Sequence, residues 1–471
     1  MSQKNISFFL REIKSIQESN PQMAEGLYEY IGNRFNTNIW PCIESLKILI
    51  SLNEKDRFLK KLSKCRESFY GHPQYHYIAS FEKIDFDIVS TDSYGENDLF
   101  TPLLKVADSV IERPLHKHRL FSLENINLFK ADAQDRFSFP EIDILRYDST
   151  VRIVSPGLTV DDKLSIITSL KQHNYLAISS EWLNNGGLSE IEKRSKSKKE
   201  KYLDGDYILL SRKGDNIYGH WLIDILPKVY LAERYKSAYF KYILSSDTPE
   251  YVYDLLEIFG VGRERLYSWN RNDEVLKLPH IYTVSALRYG NFFHKEIKNY
   301  ADYIVKHFGI SETAPLRKIY ISRRAWKSTQ KNIRVLENSI ELEESARKMG
   351  FEVIRPEDYP FEEQVRIFNE SSIVIGEDGS AMHNSIFSQA GTVFINLRSD
   401  LNGSLIQGHL CSTFEQEIFY VIGKTVKNDS SVKRNSTYSI DVNLFSYAIE
   451  EASKARQVNN RKNDRCSSFN K

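Results

Sequence analysis

The spacing of hydrophobic and polar positions divides this chain into stretches of different character. Residues 1–95 place apolar side chains at helical intervals, as in Ile43, Leu46, Leu49 and Ile50 and then Phe58, Leu59, Leu62 and Phe69, with a break near Gly71-His72-Pro73. This predicts a helical module without a second copy at any fixed period. Between 96 and 200 the pattern is weaker: Arg152-Ile153-Val154 reads as a strand and Asp162 to about Gln172 as a helix. From Tyr207 strands and helices alternate. Tyr207-Ile208-Leu209-Leu210 and Tyr242-Ile243-Leu244 read as strands, Gly219 to Lys236 and Pro249 to Phe259 as helices, and His294 to Phe308 as a connecting helix.

The alternation is sharpest from Lys318 to Leu397, where it spells β-α-β-α-β-α-β. Ile319-Tyr320-Ile321 runs into Ser322-Arg323-Arg324, and Phe351 to Ile354 returns as a strand. Ser372 to Ile375 leads into Gly376-Glu377-Asp378-Gly379-Ser380-Ala381, and Thr392 to Ile395 closes the set. Asn338 with Glu341 suggests a capping box, and Gly350 stands where a left-handed residue ends the helix. Ile373-Val374-Ile375 is apolar on both faces, as a central parallel strand requires. Two doubly wound units are therefore expected. Ligands bind such sheets outside the carboxyl ends of the strands, where the strand order reverses. Val442 to Arg456 reads as a helix, followed by a polar tail.

Composition narrows the function classes. With 41% hydrophobic and 27% charged residues and a formal net charge of +1, the 471-residue chain is an ordinary globular protein with no bulk case for nucleic acid. The four cysteines have no spacing that implies zinc or a disulfide framework, and no secretory h-region or 18-residue apolar run occurs. A cytoplasmic location is expected, with peripheral association at the inner face of a membrane left open. The basic run Lys193 to Lys199 reads either as a solvated loop or as a patch for anionic lipid or an anionic acceptor.

Chemistry is concentrated in two segments. In Asn216-Ile217-Tyr218-Gly219-His220-Trp221-Leu222-Ile223-Asp224-Ile225-Leu226-Pro227, His220 and Asp224 share a helix face, and Pro227 should bend the helix beside Asp224. A carboxylate that fixes an imidazole suits general-base catalysis, although a capping histidine beside a solvated aspartate fits the same spacing. Arg323 and Arg324 follow a strand directly and suit a diphosphate, with a surface ion pair as the plain alternative. The glycines of 376–381 permit close backbone approach at a helix N-terminus, or mark a tight turn. The loop lacks the dinucleotide fingerprint. Asp85-x-Asp87 and Asp204-x-Asp206 are read as turns, so no metal and no cofactor are expected.

These segments together resemble glycosyltransferase family 61 over about Tyr207 to Leu397. The resemblance rests on Asn216-x-Tyr218-x-His220-Trp221-x-x-Asp224-x-x-Pro227, Tyr320-Ile321-Ser322-Arg323-Arg324, Arg334-x-Leu336-x-Asn338, Gln364, and Gly376-x-x-Gly379-Ser380-Ala381-x-x-Asn384. It implies a GT-B-like α/β architecture of two facing Rossmann-like domains and metal-independent, inverting transfer from a nucleoside diphosphate sugar to a glycan or lipid-linked acceptor. It also implies a bacterial capsule or lipopolysaccharide enzyme. His220 and Asp224 would be catalytic. Arg323, Arg324, Gly376, Asp378, Gly379, Ser380, Ala381 and Asn384 would hold the donor, and Asn216, Tyr218 and Trp221 would line the acceptor side. Many relatives have histidine at position 378, so that contact is not carried over, and His383 substitutes only if the loop brings it round. The expected domains are a helical module (1–95) that could recruit a protein partner, an acceptor domain (96–300), a nucleotide-sugar domain (301–430), and a terminal helix with tail (431–471). A non-catalytic sugar-nucleotide or glycan-binding scaffold is the rival reading.

Overall fold

The computed structural model describes residues 142–161, 196–234, 239–289, 291–311, 313–323, 334–402, 404–427 and 436–469, strand segments within 100–139 and at 166–167, and scattered helical positions between 24 and 65. Most of the expected helical module lies outside the described residues. Cys65 within it is disulfide-bonded, which departs from the expectation of unlinked cysteines.

Two sheets organise the molecule. The first contains β1 (Phe100–Val106), β2 (Ile142–Tyr147), β3 (Tyr207–Leu209), β4 (Lys241–Ser245), β5 (Leu266–Trp269) and β6 (Ile281–Val284) in the order β1-β2-β6-β3-β4-β5. Strands β6, β3, β4 and β5 are parallel, and β2 runs antiparallel to both β1 and β6. The second contains β7 (Arg317–Ile321), β8 (Val335–Leu336), β9 (Glu352–Ile354), β10 (Ser371–Glu377), β11 (Val393–Ser399), β12 (Glu417–Lys427) and β13 (Thr437–Ser439) in the order β8-β13-β12-β11-β10-β7-β9, with His118–Phe121 also paired to β12. Its central run β9-β7-β10-β11-β12 is wholly parallel.

Strand order locates the sites. In the second sheet the order reverses between β7 and β10, and in the first between β3 and β6. The loops that leave those four strands therefore flank the two crevices where ligands of such sheets bind.

Among the described residues, seven α-helices longer than one turn pack on the sheets: α1 (Leu226–Arg234), α2 (Tyr251–Glu257), α3 (Glu296–His307), α4 (Ser339–Lys348), α5 (Phe361–Asn369), α6 (Ile406–Thr413) and α7 (Val442–Phe469). Every residue of β10 and β11 is buried, because both faces are covered. Ile373, Ile375 and Ile395 share one cluster with Leu342 of α4 and Phe445 and Ile449 of α7. Val374 and Phe394 belong to another, with Val365 and Phe368 of α5, Tyr300 of α3, and Trp221 and Leu222. That second cluster runs on into Ile208 and Leu244 of the first sheet. The two sheets thus share one apolar layer. Each of these fully buried side chains contributes about 1.5–3 kcal/mol relative to exposure.

Four local expectations need correction. The far face of the first sheet is covered by strands, with Val151, Ile153, Leu276 and Leu278 packing on Ile243 and Ile281, so this unit is not wound with helices on both sides. Alternating β-branched and leucine positions favour extended chain there. Ile166–Ile167 is a strand within the span expected to be helical. Asn338 makes no cap hydrogen bond, since its side chain is engaged by Ile440 of the chain entering α7. Helix α7 continues to Phe469, through a polar stretch that contains no glycine or proline.

Candidate active site

A one-turn helix, Tyr218–His220, enters a π-helical turn, Trp221–Ile225, before α1 begins at Leu226. Pro227 explains the change of pitch, since it has no N–H to give. The Leu226 N–H donates to the Trp221 carbonyl, five residues back. The Leu222 carbonyl, whose π-helical donor would have been Pro227, instead accepts a hydrogen bond from the Tyr300 hydroxyl at 2.9 Å. A buried tyrosine from α3 thereby stabilises an irregular turn, and the turn places Asp224 in the interior.

Asp224 is 2% exposed and carries a dense set of partners. Its Oδ2 lies 2.7 Å from His220 Nδ1 and 3.2 Å from Arg212 Nη1, and its Oδ1 lies 2.7 Å from Arg288 Nε. Burial by itself would raise its pKa, but Arg288, the hydrogen bond with His220, and Arg212 outweigh it and hold the carboxyl well below the usual carboxylate range. Asp224 is thus an anion at any working pH. Its charge keeps the proton of His220 on Nδ1 and leaves the Nε2 lone pair free. The imidazole is about one-third exposed, and Nε2 has no partner among the described residues. Lys228, one helical turn past Asp224, is pushed down to about 8 by burial and by Arg212.

The facing wall comes from the second sheet. After β10, Gly379 stands against Arg323 and Arg334: a Cβ there would lie 3.4 Å from Arg323 Nη1 and 3.5 Å from Arg334 Nη2. Arg323 donates to the Asp378 carbonyl at 3.3 Å, and Arg334 pairs with the Asp378 carboxylate at 2.6 Å. Asn402 donates to the same carboxylate at 2.9 Å. Burial would raise the Asp378 pKa, but Arg334, Arg398 and Asn402 together hold it low. Asp378 is therefore an internal counter-ion for Arg334. Its carboxylate is directed at Arg334 and Asn402.

The walls meet at Gly219. A Cβ on Gly219 would lie 2.8 Å from both Ser380 Oγ and His383 Cδ2, so only glycine allows this approach. The Tyr218 hydroxyl donates to Asn384 Oδ1 at 2.7 Å beside the same contact. His383, whose Nδ1 donates to Gln407 Oε1 at 3.0 Å, is lowered in pKa by burial and faces Arg288 and Asp224 as well as Asp378.

The other expected site residues divide. Ser380 and Ala381 begin a 3-10 helix, Ser380–Phe387, in place of the expected α-helix. Gly376 has its Cβ direction filled by Met382 Sδ at 2.5 Å, so the strand end packs closely on the following helix there. Trp221 is fully buried with its indole N–H on the Asp215 carbonyl at 2.6 Å, so it is core and does not line a cleft. Asn216 is exposed on the loop before the helix. Arg324 lies outside the described residues. Asp204-Gly205-Asp206 is a turn in which Asp206 is bonded to His280 at 2.8 Å. Among the described residues no three His, Cys, Asp or Glu side chains are gathered as a metal site.

Residues 218–395, which span the His220/Asp224 turn, the Arg323 strand and the Gly379 loop, match the family model described as Glycosyltransferase 61. This segment belongs to glycosyltransferase family 61. The protein is thus a glycosyltransferase. No curated protein matches the chain. Within this glycosyltransferase the sequence missed Arg212 and Arg288, which hold Asp224. One signal was present: Ser211-Arg212-Lys213 after β3 repeats Ser322-Arg323-Arg324 after β7. Arg288 had no local signal, because it meets Asp224 only through the parallel pairing of β6 with β3.

Proposed function

We propose that this glycosyltransferase moves a sugar from a nucleoside diphosphate sugar to a glycan or lipid-linked acceptor with inversion at the anomeric carbon, on a GT-B plan. The observation that supports this most directly is the His220–Asp224 couple at 2.7 Å, set beside Ser380 and His383 at the Gly219 contact. The donor diphosphate would lie over Gly379 and Ser380 at the β7/β10 crevice, within reach of Arg323 and Arg334. Guanidinium groups there stabilise the charge that grows on the leaving group.

The reaction balances with these groups alone. The acceptor hydroxyl gives its proton to His220 Nε2 as its oxygen forms a bond to the anomeric carbon. The bond from that carbon to the diphosphate breaks, and the electron pair leaves on the diphosphate oxygen. Asp224 stays an anion throughout and stabilises the imidazolium that results. His220 is thus the base and Asp224 the positioning group. Asn384, bonded to Tyr218, ties the donor wall to the acceptor wall. The synthesis of a bacterial surface polysaccharide is the setting that fits a glycan acceptor best.

A screen of nucleoside diphosphate sugars by thermal shift identifies the donor, because ligand that binds the native state raises the midpoint. Nuclear magnetic resonance of the first product then gives its anomeric configuration. Retention of configuration would overturn the single displacement.

A further inference from the structure

A cavity of about 480 Å³ adjoins the acceptor side of the site and is used by none of the steps above. It opens over the loop that follows β3. Gly214 of that loop lines it and also touches the imidazole, since a Cβ on Gly214 would lie 2.8 Å from His220 Cδ2. Lys198, Lys213 and Arg271 line it with Asn216 and Asn272, and Asp215 is the acidic member. With Asp247 paired to Arg271 behind the wall, these three cations stand against two carboxylates and leave one positive charge in excess.

The lining carboxylate is already consumed. Asp215 is 3% exposed, and its Oδ2 accepts from Ser245 at 2.6 Å and from Ser211 at 3.0 Å while Oδ1 faces Arg271 at 3.2 Å. Arg271 reaches Asp247 at 2.6 Å with its other nitrogen, so it is a fixed wall of the cavity. Lys198 donates to the Arg271 carbonyl at 2.5 Å, which holds this one residue of the basic run at the cavity wall. Lys213 is exposed and has no anionic partner among the described residues. Asn216 and Asn272 add amide groups that both donate and accept. Fixed polar groups, excess positive charge and a volume that suits one or two sugar units together describe an anion-accepting cavity.

We propose that this cavity seats an oxyanion carried by the acceptor, either a phosphate or a sugar carboxylate, and so selects negatively charged acceptors. The proposal rests on the reading of His220 as the acceptor-side base, because the shared Gly214 places the cavity next to that imidazole. An acceptor held here by its charged end would present a neighbouring hydroxyl toward His220.

Calorimetric titration of the full chain with glucose 1-phosphate, glucuronic acid and glucose tests it. One or both anionic probes should bind while glucose does not, and binding should weaken as salt rises from 0.05 to 0.5 M. The stronger of the two anionic arms identifies phosphate or carboxylate as the source. Lys213→Glu should cut that affinity at least tenfold and Lys213→Gln by less, and the exposed position spares the fold. Equal binding of glucose, no binding of either anion, or an unchanged affinity in Lys213→Glu overturns the proposal. Titration with UDP and GDP in parallel keeps the two readings apart. Loss of nucleotide binding would count against the donor site alone, and loss of anion binding against this cavity alone.

Discussion

The two crevices of this glycosyltransferase are built alike and equipped differently. Each lies where a parallel sheet reverses its strand order, each has Ser-Arg and a further basic residue in the segment after a strand, and each holds an aspartate among arginines. At the first, Asp224 spends one oxygen on an imidazole whose far nitrogen stays open. At the second, Asp378 spends its carboxylate on Arg334 and Asn402, and the nearby imidazole of His383 is bonded to Gln407 instead. The same device, an aspartate held ionised by guanidinium groups, therefore holds an imidazole in one crevice and a guanidinium in the other. Build alone does not set the role; the partner that receives the carboxylate does.

The sharpest way to break this comparison is His220→Ala, which should reduce turnover by roughly 10²–10⁴-fold. Donor affinity, measured by titration on the same variant, should be unchanged. A comparable loss of donor affinity would place the imidazole on the wrong wall. Asp224→Asn should lose most turnover and also destabilise the fold by about 3–5 kcal/mol, because Arg212 and Arg288 are left buried without a counter-charge. The pH dependence follows from the sign of the shift. A carboxyl held below its unfolded value of about 3.9 contributes stability above that pH and loses it as pH falls further. The gap in denaturant midpoint between wild type and Asp224→Asn should then be full at pH 7 and shrink only below about pH 4.

Effects at the second crevice should be of another kind. Arg323→Ala should weaken donor binding by roughly 10–100-fold through lost charge-assisted hydrogen bonds, with the fold intact. If turnover fell at saturating donor with affinity retained, the diphosphate would not sit there. Gly219→Ala tests the contact between the walls. Its Cβ would meet Ser380 Oγ and His383, so we expect a cost of about 1–3 kcal/mol in chemical denaturation and a drop in kcat. The smallest effect concerns Lys228, whose folded pKa is lowered to about 8 by burial and Arg212. Its charge penalises the folded state below that pH and is relieved toward pH 10.4. Lys228→Met should raise Tm by roughly 2–4 °C at pH 7, the shift given by about 1 kcal/mol in a lobe of this size. The gain should fade in scans above pH 8, and one that persisted at pH 10 would count against the assignment.

Local signals were read well where one residue type decides the outcome. Pro227 forced an irregular turn because it lacks a donor, and Gly350 adopts a left-handed φ of 84° where the helix must end. The apolar run Ile373 to Ile375 became a central strand, since only a sheet covered on both faces tolerates it. Signals failed where a distant partner competes. Trp221 looked like a cleft residue from its place in the motif, but the Asp215 carbonyl claims its indole in the core. Asn338 looked like a cap and is instead engaged by Ile440, 102 residues away. Nothing local foretold that Arg334 would meet Asp378 across the loop.

By itself the sequence determined the periods of the elements, the parallel β-α order of the second half, the proximity of His220 to Asp224 and the family of residues 218–395, because all of these follow from spacing along the chain. Only the tertiary structure decided that Arg212 and Arg288 clamp Asp224, that strands rather than helices cover the far face of the first sheet, and that Ser380 and His383 close on Gly219, next in the chain to His220. Those contacts depend on how strands are ordered across a sheet, and strand order is set by the burial of whole faces, which no short run of residues encodes.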